Sequence, residues 1–82
     1  MSDQELLARV TLDPNVMAGK PVIRGTRVTV EYVLGLLAHG ATEQEISNEY
    51  HGLAPEDIRA CLLFAGRALE SSAFLPLFPG PK

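Results

Sequence analysis

The chain has 82 residues, which sets one domain, and only about 60–65% of its unfolded surface can be buried at that size. It carries one cysteine, a net charge of −3 and 46% hydrophobic residues. These figures exclude an internal disulfide framework and argue against a general polyanion binder. The N-terminus has acids at Asp3 and Glu5 and no basic segment leading into an apolar run, so it does not read as a secretion signal. The longest apolar run, Cys61 to Ala65, is far too short to span a membrane. A reducing, cytoplasmic setting is the expectation. A mean hydropathy of +0.10 is high for a small monomer, and the surplus apolar surface points to a homodimer or another protein interface.

Arg9-Val10-Thr11-Leu12 alternates apolar and polar residues and stops at the turn signal Asp13-Pro14. Pro21 to Val30 reads as two β-branched runs about Gly25-Thr26. Gly25 at the first central position suits a type II′ hairpin, and a kinked extended segment is the alternative. Val30, Val33, Leu34 and Leu37 then follow helical spacing, with Thr29 as N-cap and His39-Gly40 as stop. Thr42-Glu43-Gln44-Glu45 is a capping box and opens a short second helix that ends near Tyr50. A third helix starts at Pro55, with Glu56 and Asp57 suiting its N-terminal dipole. Its predicted buried stripe is Ile58, Leu62, Ala65 and Leu69, widened by Cys61, Phe64 and Ala68. The expected fold is therefore mainly α: a three-helix, homeodomain-like helix-turn-helix core with a short N-terminal β-hairpin or extended element. Residues 1–70 form this domain. The last segment, 71–82, is a separate proline-rich apolar tail.

The charges are unevenly placed. Lys20, Arg24 and Arg27 lie between Pro14 and Val30 with no acid among them, and the stretch from Glu31 to Asp57 holds six acids and no Lys or Arg. Lys20, Arg24 and Arg27 are candidate phosphate contacts, and arginine can also read guanine edges or a narrow minor groove. A structural reading stands beside it: such cations can pair with Glu31 or Glu56 and fix the N-terminal element on the helices. The third helix presents Pro55, Glu56 and Asp57 where a recognition helix contacts bases, and acids there repel phosphate. Only Arg59 is well placed on it, so a core helix with a solvated acidic start is the favoured reading. In the tail, Phe74, Leu75, Leu77 and Phe78 are candidates for a protein partner's groove or for packing on the chain's own dimer.

His39 and His51 each precede a glycine at a helix end and read as caps, and Cys61 reads as a core residue. No metal-ligand spacing, nucleotide loop or Ser-His-Asp arrangement stands out, so neither a cofactor nor an enzyme activity is expected.

The runs Gly19-Lys20-Pro21-Val22-Ile23-Arg24-Gly25-Thr26-Arg27-Val28, Leu37-Ala38-His39-Gly40-Ala41-Thr42-Glu43-Gln44-Glu45-Ile46 and Glu56-Asp57-Ile58-Arg59-Ala60-Cys61-Leu62 resemble the domain-of-unknown-function 433 family across roughly residues 8–68. The resemblance implies a trihelical homeodomain-like or winged-helix-like fold. It also implies VapB-type antitoxin behaviour beside a PIN-like nuclease toxin. With the basic element, this leads to an expected dimeric auto-repressor that binds DNA of its own promoter region. The rival expectation is a protein-interaction module of the same shape that binds no nucleic acid. The sequence departs from the family at Ala54, where a Thr or Ser usually precedes the third helix, with about 1 kcal/mol of capping lost.

Overall fold

The computed structural model describes residues 1–70, and the tail candidates Phe74, Leu75, Leu77 and Phe78 lie outside the described residues. In chain order the elements are α1 (Asp3–Leu7), β1 (Val10–Thr11), a single 3-10 turn (Met17–Gly19), β2 (Val22–Ile23), α2 (Val30–Ala38), α3 (Glu43–Glu49) and α4 (Pro55–Glu70). The architecture is mainly α with a small antiparallel pair, as the periodicities predict. Among the described residues no helix is long and apolar enough to cross a membrane.

One helix is additional to the expected three. α1 forms because Ser2 and Glu5 make a reciprocal capping box: Ser2 Oγ accepts from the Glu5 N–H at 3.1 Å, and Glu5 Oε1 accepts from the Ser2 N–H at 2.8 Å. Those bonds hold the Glu5 carboxyl below its ordinary pKa. Five residues are too few for a helix to stand alone, and α1 lies on α4, where Arg67 Nη2 donates to Asp3 Oδ2 at 2.8 Å.

The sheet differs from the expected hairpin. β2 pairs with β1, in the register Val10↔Ile23 and Thr11↔Val22. The segment beyond β2 does fold back, through a bridge between Val22 and Thr29 and bonds from Ile23 N–H to the Val28 carbonyl and Val30 N–H to the Pro21 carbonyl, both 2.9 Å. The turn itself spans Ile23–Thr26, closed by Thr26 N–H on the Ile23 carbonyl at 3.0 Å. Gly25 therefore takes the second central position, with φ +79°, as a type II turn requires, not the first as in type II′. The register is set by Thr26: its hydroxyl donates to the Ile23 carbonyl at 2.7 Å and accepts from the Val28 N–H at 3.0 Å.

The caps of α2 and α3 are those the sequence predicts. Thr29 Oγ1 accepts from Tyr32 N–H, and Thr42 and Glu45 exchange both capping-box bonds. α2 ends where His39 Nδ1 meets the Gly35 carbonyl at 2.7 Å and Gly40 turns the chain at φ +101°. Ile23, Val30, Val33, Ile46, Leu53, Ile58 and Cys61 form one core cluster between β2 and the three longer helices. α4 is the backbone of the core, touching α1, α2, α3 and β1. Its buried row is Asp57, Ile58, Ala60 and Cys61. The predicted stripe holds at Ile58, but Leu62 and Leu69 are 49% and 55% exposed. The core lies on the Ile58–Cys61 side of the helix, so residues one step round the stripe face outward.

Candidate nucleic-acid interface

The β1–β2 ladder continues one residue beyond the named strands: Arg24 N–H donates to the Arg9 carbonyl at 2.8 Å. The register thus sets Arg9 and Arg24 opposite each other. Two like charges facing across a strand pair repel, and each is offset by its own acceptor. Arg9 Nη1 donates to Asp57 Oδ1 at 2.9 Å, and Arg24 Nη2 donates to the Ala8 carbonyl. Both arginines line a recess of about 400 Å³ with Glu5, Ala8, Asp57 and Gly52, the last in the turn between α3 and α4. Two guanidiniums, two carboxylates and the inter-helix turn therefore meet at one place.

Asp57 makes this arrangement possible. Its Oδ2 accepts from the Ala54 N–H at 2.8 Å, while Asp57 N–H donates to the Ala54 carbonyl at 2.9 Å. The carboxylate therefore supplies half of a capping box at the position where Ala54 has no side chain to cap with. It is only 6% exposed, so the start of α4 is not the fully solvated acidic face expected from sequence. One buried carboxylate caps α4 and ties β1 to it through Arg9.

The four cations singled out from sequence do not converge. Lys20 Nζ pairs with Glu31 Oε1 at 3.0 Å on the exposed rim of a different feature, an apolar groove of about 840 Å³ lined by Met17, Tyr32 and Leu36 among others. Arg59 is held by Glu43 in a forked contact, Nε to Oε2 at 3.1 Å and Nη2 to Oε1 at 3.4 Å. The Glu43 carboxylate raises the pKa of that guanidinium further. Arg24 alone reaches the recess. Arg27 is exposed and, among the described residues, is a cation without a hydrogen bond or ion pair. Arg9 is the residue that sequence reasoning passed over. Its signal was its place at the head of the β1 alternation, which could be used only with the β1–β2 register known.

Tyr32 and Tyr50 meet edge to face, ring centroids 6.0 Å apart, with hydroxyls 2.6 Å apart. The bond to Tyr32 and partial desolvation push the Tyr50 phenol above its ordinary pKa. Burial, aided by the charge of Asp57, pushes the Cys61 thiol up to about 11. Among the described residues no cluster of three or more His, Cys, Asp or Glu is placed to hold a metal ion.

Comparison with known proteins places this geometry. The family described as "Protein of unknown function (DUF433)" matches residues 10–65, from β1 through most of α4. The chain belongs to the DUF433 family. A solved DUF433 member from Anabaena variabilis superposes with a TM-score of 0.72 over 83% of this chain and 67% of that one, at 29% identity. A Mycobacterium tuberculosis protein named "Putative antitoxin VapB45" is 44% identical over 55 residues, covering 67% of this chain. A crystal structure of a Mycobacterium tuberculosis protein is 44% identical as well, with a TM-score of 0.59 over 67% of this chain and 25% of that one. The chain spans 23% of the length of the antitoxin-named relative. The DUF433 match takes in Lys20, Arg24, Arg27 and Arg59, whereas Arg9 and all of α1 precede it.

Proposed function

We propose that the protein is an antitoxin-like regulator: a dimeric, non-enzymatic DNA-binding protein that represses its own promoter region and binds a PIN-like toxin. The observation that carries this reading is the recess where Arg9 and Arg24 meet Gly52 of the α3–α4 turn. In helix-turn-helix proteins the segment around the turn runs close to the DNA backbone, and the Arg24 guanidinium, which faces no carboxylate, can donate to a phosphate oxygen there. Arg27, exposed and without an internal partner, adds a second phosphate contact on the same N-terminal element. Arg9, Lys20 and Arg59 would first have to leave Asp57, Glu31 and Glu43, so their contribution to DNA affinity is smaller. The name of the Mycobacterium tuberculosis relative supports the antitoxin side. The tail residues Phe74, Leu75, Leu77 and Phe78 are assigned to the toxin.

A second reading is favoured by one observation: the outward start of α4 carries Glu56, and Arg59 behind it is already neutralised by Glu43. On that reading the protein is an interaction module that never touches nucleic acid. Titration of the purified protein against a labelled duplex from its own upstream region separates the two. Saturable, salt-sensitive binding that fails in Arg24→Ala and Arg27→Ala supports the repressor. No binding at low salt, alone or with the co-purified toxin, leaves the interaction module.

A further inference from the structure

Among the described residues, one row of the α4 surface is not packed against the core. At 100° per residue, Leu62, Gly66 and Leu69 fall within about 60° of one another, and Leu62 and Leu69 are half exposed. Ala65 borders the row on one shoulder. Arg59, Leu63 and Glu70 border it on the other. The two leucines are spaced seven residues apart, and the midpoint between them falls on Ala65-Gly66, the smallest pair on this face.

That pattern is self-complementary. If a second α4 is laid antiparallel about a two-fold axis at Ala65-Gly66, each Leu62 meets the other copy's Leu69, and the small pair lies at the crossing where backbones approach most closely. In an antiparallel helix pair the same shoulder of each helix faces its mate. Arg59 of one copy then comes within about 3 Å, along the axis, of Glu70 of the other, and the two-fold repeats the contact. The sequence thus provides an apolar seam, a close crossing point and two opposite-charge pairs, all in one register. A parallel pair would face the Arg59–Glu70 shoulder with the opposite shoulder, at Ala65, and form neither pair.

We propose that the Leu62–Gly66–Leu69 face of α4 binds a second copy of this chain, as an antiparallel two-fold pair with Arg59–Glu70 contacts at each end. This deepens the functional reading by assigning its dimer to a face, and it rests on the chain being a dimer. The seam is short against a standard interface, so the dimer is a weak, concentration-dependent one. Glu43 holds Arg59 in position, and the second carboxylate joins an existing pair.

Sedimentation equilibrium of the full chain over a concentration series tests this. The wild type is expected at twice the chain mass at the high end. Leu62→Glu/Leu69→Glu, with circular dichroism showing it folded, is expected to be monomeric, with the dissociation constant raised at least tenfold. Glu70→Arg alone should weaken the dimer, and Glu43→Gln/Arg59→Glu/Glu70→Arg should restore it, because the swap recreates both pairs and Glu43→Gln removes the carboxylate that would repel the new one. Ala65→Cys should close an intermolecular disulfide on mild oxidation, with Ala38→Cys on α2 as the non-crosslinking control; Cys61 is buried and stays silent. A wild-type dimer that survives Leu62→Glu/Leu69→Glu, or no rescue by the charge swap, overturns the face and leaves the dimer reading standing. A monomer at all concentrations overturns both.

Discussion

Asp57 is buried, accepts from Arg9 and caps α4 at Ala54, so it joins two parts of the chain that are 48 residues apart. Its removal strands a partly buried guanidinium and an uncapped helix end together. Arg9 retains a third of its surface in water, which lowers the cost below that of a fully buried pair. Asp57→Ala is expected to cost about 2–3 kcal/mol in urea denaturation, because cap and pair go together, and Arg9→Ala about 1–2 kcal/mol, because the cap survives but a buried carboxylate loses its counterion. A larger loss in Arg9→Ala than in Asp57→Ala would show that the unpaired buried carboxylate outweighs the cap. Cys61 gives a prediction in pH. Its thiol is raised from an ordinary value of about 8.5 to about 11, so the folded state disfavours the thiolate. The stability gained from keeping it neutral is fully present below pH 8.5 and is lost progressively towards 11, as the unfolded chain ionises first. Alkylation of Cys61 in the native protein should therefore be slow at pH 8 and speed up only when urea unfolds it. Fast native alkylation at pH 8 would mean that Cys61 is not enclosed.

At the scale of elements, what could be read from the sequence followed from local chemistry. The starts of α2 and α3 are written in Thr29 and in Thr42…Glu45, and the stop of α2 in His39-Gly40, because each needs only residues within one turn. α1 carried the same signature at Ser2…Glu5, yet five residues without an apolar repeat give no periodicity to support it. The β1–β2 pairing and the rotated face of α4 were illegible for a different reason. Both depend on which distant segment packs where, and a pairing between Val10 and Ile23 leaves no mark on either run. The recess was hidden with them, since Arg9 joins Arg24 only through that register. The two capping boxes differ in consequence. Thr42→Ala should lower global stability by about 1 kcal/mol, because α3 carries the core residue Ile46. Ser2→Ala should leave the unfolding midpoint nearly unchanged and instead speed amide exchange at Leu6 and Ala8, whose N–H groups bond within α1. Equal shifts in midpoint would mean that α1 is as deeply coupled to the core as α3.

For the whole molecule the decisive quantity is where its charge remains available. A net charge of −3 gives no long-range attraction to DNA, and four described cations face carboxylates: Arg9 with Asp57, Lys20 with Glu31, Arg59 with Glu43 and Arg67 with Asp3. On the proposed reading, DNA binding then depends on Arg24 and Arg27, the two described cations that face no carboxylate. Two phosphate contacts per protomer predict a slope of log K against log salt near −2 per protomer, doubled in a two-fold dimer. Arg27→Ala should remove about one unit of that slope per protomer without affecting folding, because Arg27 has no internal partner to lose. Arg59→Ala should change the slope little, since its charge is already matched by Glu43. The reverse order, with Arg59→Ala costing most, would mean that the Arg59–Glu43 pair opens on binding and that α4 enters the groove. Glu43→Gln separates these cases independently. It frees Arg59 without removing it, so it raises DNA affinity severalfold if α4 reads the duplex, and leaves it unchanged if the N-terminal arginines carry the binding.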